Sequence, residues 1–189
     1  MTPAWTIRLL AELDAADHRA IAVASNLTPQ HLNWKPSSAE WSVGQCLEHL
    51  AIGNELYLRA MSPALDGKPR RVTDEIRPGW FGRWFIRSYI APSATTRRGR
   101  APRKIRPSAD VPSSVLERFL ASNNAVRRFI DRARDYDVNR IRFKNPFVAV
   151  IRFTLGTGLE ITSKHEMRHL LQAERIRAAL AASIATALP

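Results

Sequence analysis

The stretch Trp41-Ser42-Val43-Gly44-Gln45-Cys46-Leu47-Glu48-His49-Leu50 decides the fold. Ser42 and Gln45 have capping-box spacing: the serine hydroxyl accepts one orphan N–H of a first helical turn, and the glutamine side chain reaches back to another. Trp41 is placed to staple onto Cys46, and the pattern predicts a helix that starts at Val43 and runs to about Met61. Further along, Ser114-Val115-Leu116-Glu117 repeats the signature, and Leu116, Phe119, Leu120, Val126, Ile130 and Ala133 form the apolar stripe of a helix ending near Asp137. Thr157-Gly158-Leu159-Glu160 supplies a third such box, opening a long last helix through Arg177 into an alanine-rich tail. Toward the amino terminus, Thr2-Pro3 reads as an N-cap followed by proline. Ile7, Leu10, Leu13, Ala16, Ala20, Ile21 and Ala24 then continue at helical spacing to about Asn26. Thr28-Pro29 ends that helix, and the breaker-rich stretch to Glu40 is expected to be an ordered loop.

Four principal helices follow, with a connection of about 50 residues, 63–112, between the second and third. A connection of that length has a function or some structure of its own. Within it, the segment from Trp80 to Ile86 predicts a short helix whose aromatics at 80, 81, 84 and 85 pack onto the bundle. Between the third and fourth helices, residues 141–143 and 148–153 are β-prone around Asn145-Pro146, either a small hairpin or a packed loop.

With 189 residues, 45% hydrophobic and 24% charged, the chain is read as one globular domain, residues 1–189. A single cysteine excludes a disulfide framework and a thiolate-rich metal cluster. No apolar run approaches the roughly 18 residues of a membrane span, and acids stand in the first residues where a secretory signal would continue apolar, so a cytoplasmic protein is expected. The net charge of +12 suggests a phosphate partner. Its distribution moves the emphasis: +10 lies between residues 67 and 107. The run around Arg97, Arg98, Arg100, Arg103, Lys104 and Arg106 is open to three readings: a solvated loop, a site for phosphate or an acidic cosubstrate, or, with Trp80, Trp84, Phe85 and Tyr89, a membrane-surface contact.

His165 and His169 are four apart in the last helix, the spacing at which two imidazoles on one face grip one metal ion. His49 lies on a helix that a bundle brings alongside, with small Ser42, Cys46 and Gly53 on the same face to leave the ring room; taken by itself it also reads as a core histidine hydrogen-bonded to a neighbour. Three histidines leave coordination positions open, as a catalytic metal requires. Gln172, one turn beyond His169, is placed to bond a metal-bound water or a ligand imidazole, or to pack as a helix amide. Glu166 is offset around the helix and is expected to be exposed or salt-bridged. Cys46 is read as a small buried thiol rather than a nucleophile, and His18 and His31 as surface or loop residues.

The segments from Trp41 to Leu50, from Ala101 to Ser108, and from His165 to Gln172 resemble, in order and spacing, the DinB-like superfamily, which includes damage-inducible proteins and thiol-dependent transferases. The resemblance covers nearly the whole chain. It implies an all-α, up-down-down-up four-helix bundle with a long crossover between helices 2 and 3. It further implies a divalent metal on His49, His165 and His169. Histidines suit zinc, nickel, iron or manganese alike. The expected activity is that of a metal-dependent enzyme activating water or a low-molecular-weight thiol against a small-molecule substrate, as a hydrolase or thiol transferase, with a homodimer plausible for the family. The crossover is more basic and more aromatic than the family leads one to expect. The alternative is a non-catalytic binding module whose basic crossover engages nucleic acid or an anionic surface.

Overall fold

The computed structural model describes residues 1–92, 101–148 and 150–186. Arg97, Arg98 and Arg100 of the basic run lie outside the described residues. The chain is predominantly helical. Its elements run α1 (Ala4–Ala24), α2 (Pro29–Asn33), α3 (Val43–Met61), α4 (Trp80–Phe85), α5 (Val115–Ala133), β1 (Arg142–Lys144), β2 (Arg152–Thr154) and α6 (Leu155–Thr186). Helix α3 packs on α5 and α6, and α1 on the same two.

The capping box at Ser42 forms: the Gln45 amide donates to Ser42 Oγ at 3.1 Å and the Ser42 amide to Gln45 Oε1 at 3.2 Å. Helix α3 is enclosed on most sides, with Cys46, Leu47, Leu50 and Met61 all fully buried. The other helix starts differ from expectation. Helix α1 has no side-chain cap; its Ala4 amide donates instead to Asp74 Oδ1, brought in by the crossover. Its buried stripe is Trp5, Leu9, Leu13, Ala16, Ala20 and Val23, whereas Ile7 and Ile21 face solvent, because Trp5 turns inward to donate its Nε1–H to the Thr73 carbonyl. Ser114 makes no capping bond, and α5 stops at Ala133 rather than near Asp137. Helix α6 begins directly after β2, where Thr154 Oγ1 accepts the Thr157 amide; Thr157 is therefore inside the helix, not its cap. The expected loop after Thr28 contains α2, whose Pro29 opening is capped by the Thr28 hydroxyl accepting the His31 amide and whose Leu32 is buried.

Strands β1 and β2 pair antiparallel as a hairpin, setting Arg142 against Thr154, Phe143 against Phe153, and Lys144 against Arg152. Asn145 shapes its turn by accepting the amides of Phe147 and Val148 on Oδ1. Phe143 and Phe153 face inward. Phe143 and Met61 pack so closely over Gly158 that a Cβ there would lie 2.7 Å from the Met61 sulfur, which is why α6 carries glycine at this point.

The crossover is strapped to the bundle at several points, including the Arg71 amide to the Asp135 carbonyl and the Arg77 amide to Asn139 Oδ1. In α4, Phe81 and Phe85 pack against Phe153 as expected. Trp80 and Trp84 do not: they are 76% and 41% exposed, because a six-residue helix has one face to bury and the phenylalanines take it. Among the described residues, no helix is long and apolar enough to cross a membrane.

Candidate metal centre

Helices α3 and α6 bring His49, His165 and His169 together. One ligand nitrogen from each lies within 4.8 Å of the others, and the three ring centroids are 4.5–4.8 Å apart. Gly53, one turn after His49, lies beside the His165 ring, and a Cβ there would rest in ordinary contact at 3.6 Å from Cε1.

Two of the rings have their proton positions set by an acceptor. His49 Nδ1 lies 2.6 Å from the Ile105 carbonyl, which can only accept, so that nitrogen carries the proton and Nε2 presents its lone pair to the cluster. His169 Nδ1 lies 2.9 Å from Gln172 Oε1, with the same consequence for its Nε2. His49 Nε2 and His165 Nε2 are 3.0 Å apart. A lone pair at that position takes either a proton from His165 or a shared cation. Burial, the largest influence, lowers the basicity of all three rings, His49 to about 4 and His169 to about 3, with His165 also pushed well down. The charge of Arg168 adds to the effect on each. At neutral pH the rings are therefore unprotonated bases, the state a metal ion requires of its ligands. Metal–nitrogen bonds of about 2.0–2.1 Å place ligand nitrogens roughly 3–4 Å apart; the His49–His165 pair stands at 3.0 Å, and all three ligand atoms lie within 4.8 Å of one another. Three convergent neutral imidazoles, two of them oriented by an outer hydrogen bond, fit a first-row divalent ion.

Several residues around the cluster went unread in the sequence. Trp41 stacks on His169 at 5.5 Å and tilts over His49 at 4.7 Å, roofing the cluster. The crossover's return, residues 105–108, is fastened to α3 by polar side chains of its first turns. Gln45 Nε2 donates to the Ser108 carbonyl at 2.7 Å, and Glu48 accepts both the Ser108 amide (2.6 Å) and its hydroxyl (3.1 Å). The quoted resemblance already contained Ile105 and Ser108, but spacing alone gives no sign that a loop carbonyl orients an imidazole.

Glu166 is a correction. It is 1% exposed and neither solvated nor salt-bridged, because its offset from His165 turns it into the interior between helices. There Asn54 Nδ2 donates to one oxygen at 2.9 Å and Asn123 Nδ2 to the other at 3.4 Å, while Asn123 also donates to Asp17. Burial outweighs these donors and raises its carboxyl to about 8. Cys46 is fully buried, and burial drives its thiol pKa upward, leaving an inert thiol. His18 is exposed and His31 only partly buried, both outside the cluster.

A mostly helical chain with a three-histidine group at the meeting of two long helices defines a class of helical proteins able to hold a metal ion. A family model described as the DinB superfamily matches residues 12–173, and the chain belongs to that superfamily. No curated protein and no solved structure matches it.

Proposed function

We propose that this chain is a single-domain, cytoplasmic DinB-like enzyme over residues 1–189, an up-down-down-up four-helix bundle in which His49, His165 and His169 bind zinc, nickel, iron or manganese. Gln172 is assigned as the residue that holds His169 in its binding tautomer. When bound, such an ion acidifies a coordinated water or low-molecular-weight thiol and polarises the electrophile, the chemistry of a hydrolase or thiol S-transferase. The chain's own contribution is to keep the three imidazoles neutral by burial, to aim two Nε2 atoms inward through Ile105 and Gln172, and to exclude water from one side with Trp41. The substrate assigned to the site is a small molecule, reaching the ion from the side of His165, the least buried of the three rings. A homodimer follows only from the family. The observation that carries the reading is the convergence of three histidine ring nitrogens, one from each residue, within 4.8 Å of one another. Elemental analysis of untagged protein tests it: about one divalent ion per chain is expected, falling to background in His165→Ala with the far-ultraviolet circular dichroism unchanged. Metal-free wild-type protein that takes up no added divalent ion would sink it.

The alternative, a module that engages nucleic acid or an anionic surface, is favoured by the absence of any acidic residue from 76 to 109. It requires binding whose log affinity falls steeply with log salt and disappears when Arg97, Arg98, Arg100 and Arg103 are neutralised. Salt-insensitive or absent binding rejects it.

A further inference from the structure

Away from the histidines, a surface cavity of about 480 Å³ lies where the crossover, the end of α5 and the hairpin meet. Five cationic side chains line it, Lys68, Arg71, Arg140, Arg142 and Arg152, with Asp137 as the one acid. Asp137 is already shared: the same Oδ2 lies 3.7 Å from Arg71 Nε and 3.6 Å from Arg140 Nε. Lys68, Arg142 and Arg152 form no ion pair with any described residue. The sequence offers no nearby relief, since no Asp or Glu occurs between residues 138 and 159.

Because Phe143 and Phe153 face the core, Arg142, Lys144 and Arg152 are all turned outward, and the register sets Lys144 directly opposite Arg152. Like charges directly opposite each other destabilise a strand pair. The neighbouring cavity, about 370 Å³, shares Arg71, Asp137 and Arg140 but adds Asp74 and Glu75, and Glu75 pairs with Arg77 at 3.1 Å. Charge is balanced on that side of the shared residues and left in excess on the other, so the excess is not a general property of a basic surface.

We propose that this cavity is a binding site for a small polyphosphorylated molecule, held by Arg142 and Arg152 from the hairpin and by Lys68, Arg71 and Arg140 from the facing segments. A single carboxylate leaves most of this positive charge uncompensated, whereas a ligand with several negative charges in a small compass satisfies it. Guanidinium forks match the oxygens of a phosphate group in pairs. The volume is that of a small-molecule site and too small to enclose a nucleic-acid duplex.

Calorimetric titration with sodium tripolyphosphate tests the proposal on the full chain, freed of metal by chelation and dialysis, in about 0.1 M salt. Saturable binding of one molecule per chain is expected, weakened about tenfold or more in Arg142→Gln/Arg152→Gln, since each lost charged hydrogen bond is worth that order. Arg83→Gln/Arg87→Gln, equally basic but absent from the lining, and His165→Ala should bind as the wild type does. Circular dichroism and melting of each variant establish that it is folded. The site is overturned if tripolyphosphate does not bind, if the hairpin double variant binds undiminished, or if His165→Ala abolishes binding, which would place the ligand at the histidines. It is likewise overturned if a ten-nucleotide single strand displaces tripolyphosphate at far lower concentration, since that would make a nucleic acid the partner.

Discussion

The histidine cluster and the arginine-lined cavity both crowd like groups together, and they tolerate the crowding by opposite means. At the cluster, burial removes the charge: the imidazoles are neutral, so three bases sit with ring centroids 4.5–4.8 Å apart. At the cavity the guanidiniums cannot deprotonate, and exposure to water is what makes their proximity bearable. Arg140 and Arg71 are 74% and 63% exposed there. One region is poised for a cation because its groups have lost their protons, and the other for an anion because its groups cannot. Burial, more than the chain's excess charge, thus sets its histidine chemistry.

The largest test removes a base from the cluster. His165→Ala or His49→Ala should weaken divalent-metal affinity by more than about a hundredfold, beyond the 10–100-fold typical of outer partners, measured by competition with a chelating dye. Next is the neutrality on which the contrast rests. The buried His49 has its basicity lowered from 6.5 to about 4, so an unfolded chain takes up the proton first. Its contribution to stability is complete above about pH 6.5 and is lost as pH falls through about 4. In metal-free protein, His49→Gln should therefore show about 3 kcal/mol less loss of unfolding free energy than wild type between pH 7 and pH 3. The comparison with the variant matters, because Glu166, raised to about 8, works the other way, its contribution falling as pH rises from about 4.5 to 8. Equal slopes in the two proteins would contradict the burial argument.

A smaller effect is expected from Gln172→Leu, which leaves three imidazoles but frees the His169 tautomer: metal affinity should drop about tenfold with little change in melting. An unchanged affinity would reduce Gln172 to a packing residue. Smallest is the relief of like charges on the hairpin. Arg152→Gln should stabilise the ligand-free protein by a few tenths of a kcal/mol at low ionic strength, and the gain should vanish in about 1 M salt.

What could be read from the chain alone was what local chemistry controls. The Ser42/Gln45 capping box, the 19 residues of α3 and the face shared by His165 and His169 depend on neighbours three or four residues away, and all three appear as expected. Two of the misreadings share one cause, a distant partner: Asp74 caps α1, and Asn54 and Asn123 draw Glu166 inward. The start of α6 was missed for a local reason, since Thr154, three residues before Thr157, takes the capping role at the end of a strand. The cavity was invisible because Lys68 and Arg71 are distant in sequence from Arg140, Arg142 and Arg152 and meet them only in the fold.

The bond from His49 to the Ile105 carbonyl has a mechanical side. Residues 105–108 are held to α3 by Gln45, Glu48 and His49 within little more than one helical turn. Lifting that loop would strip the acceptor from His49 Nδ1 and leave its proton free to move to Nε2, the very atom whose lone pair faces the cluster. The position of a loop is thereby written into the tautomer of a ring.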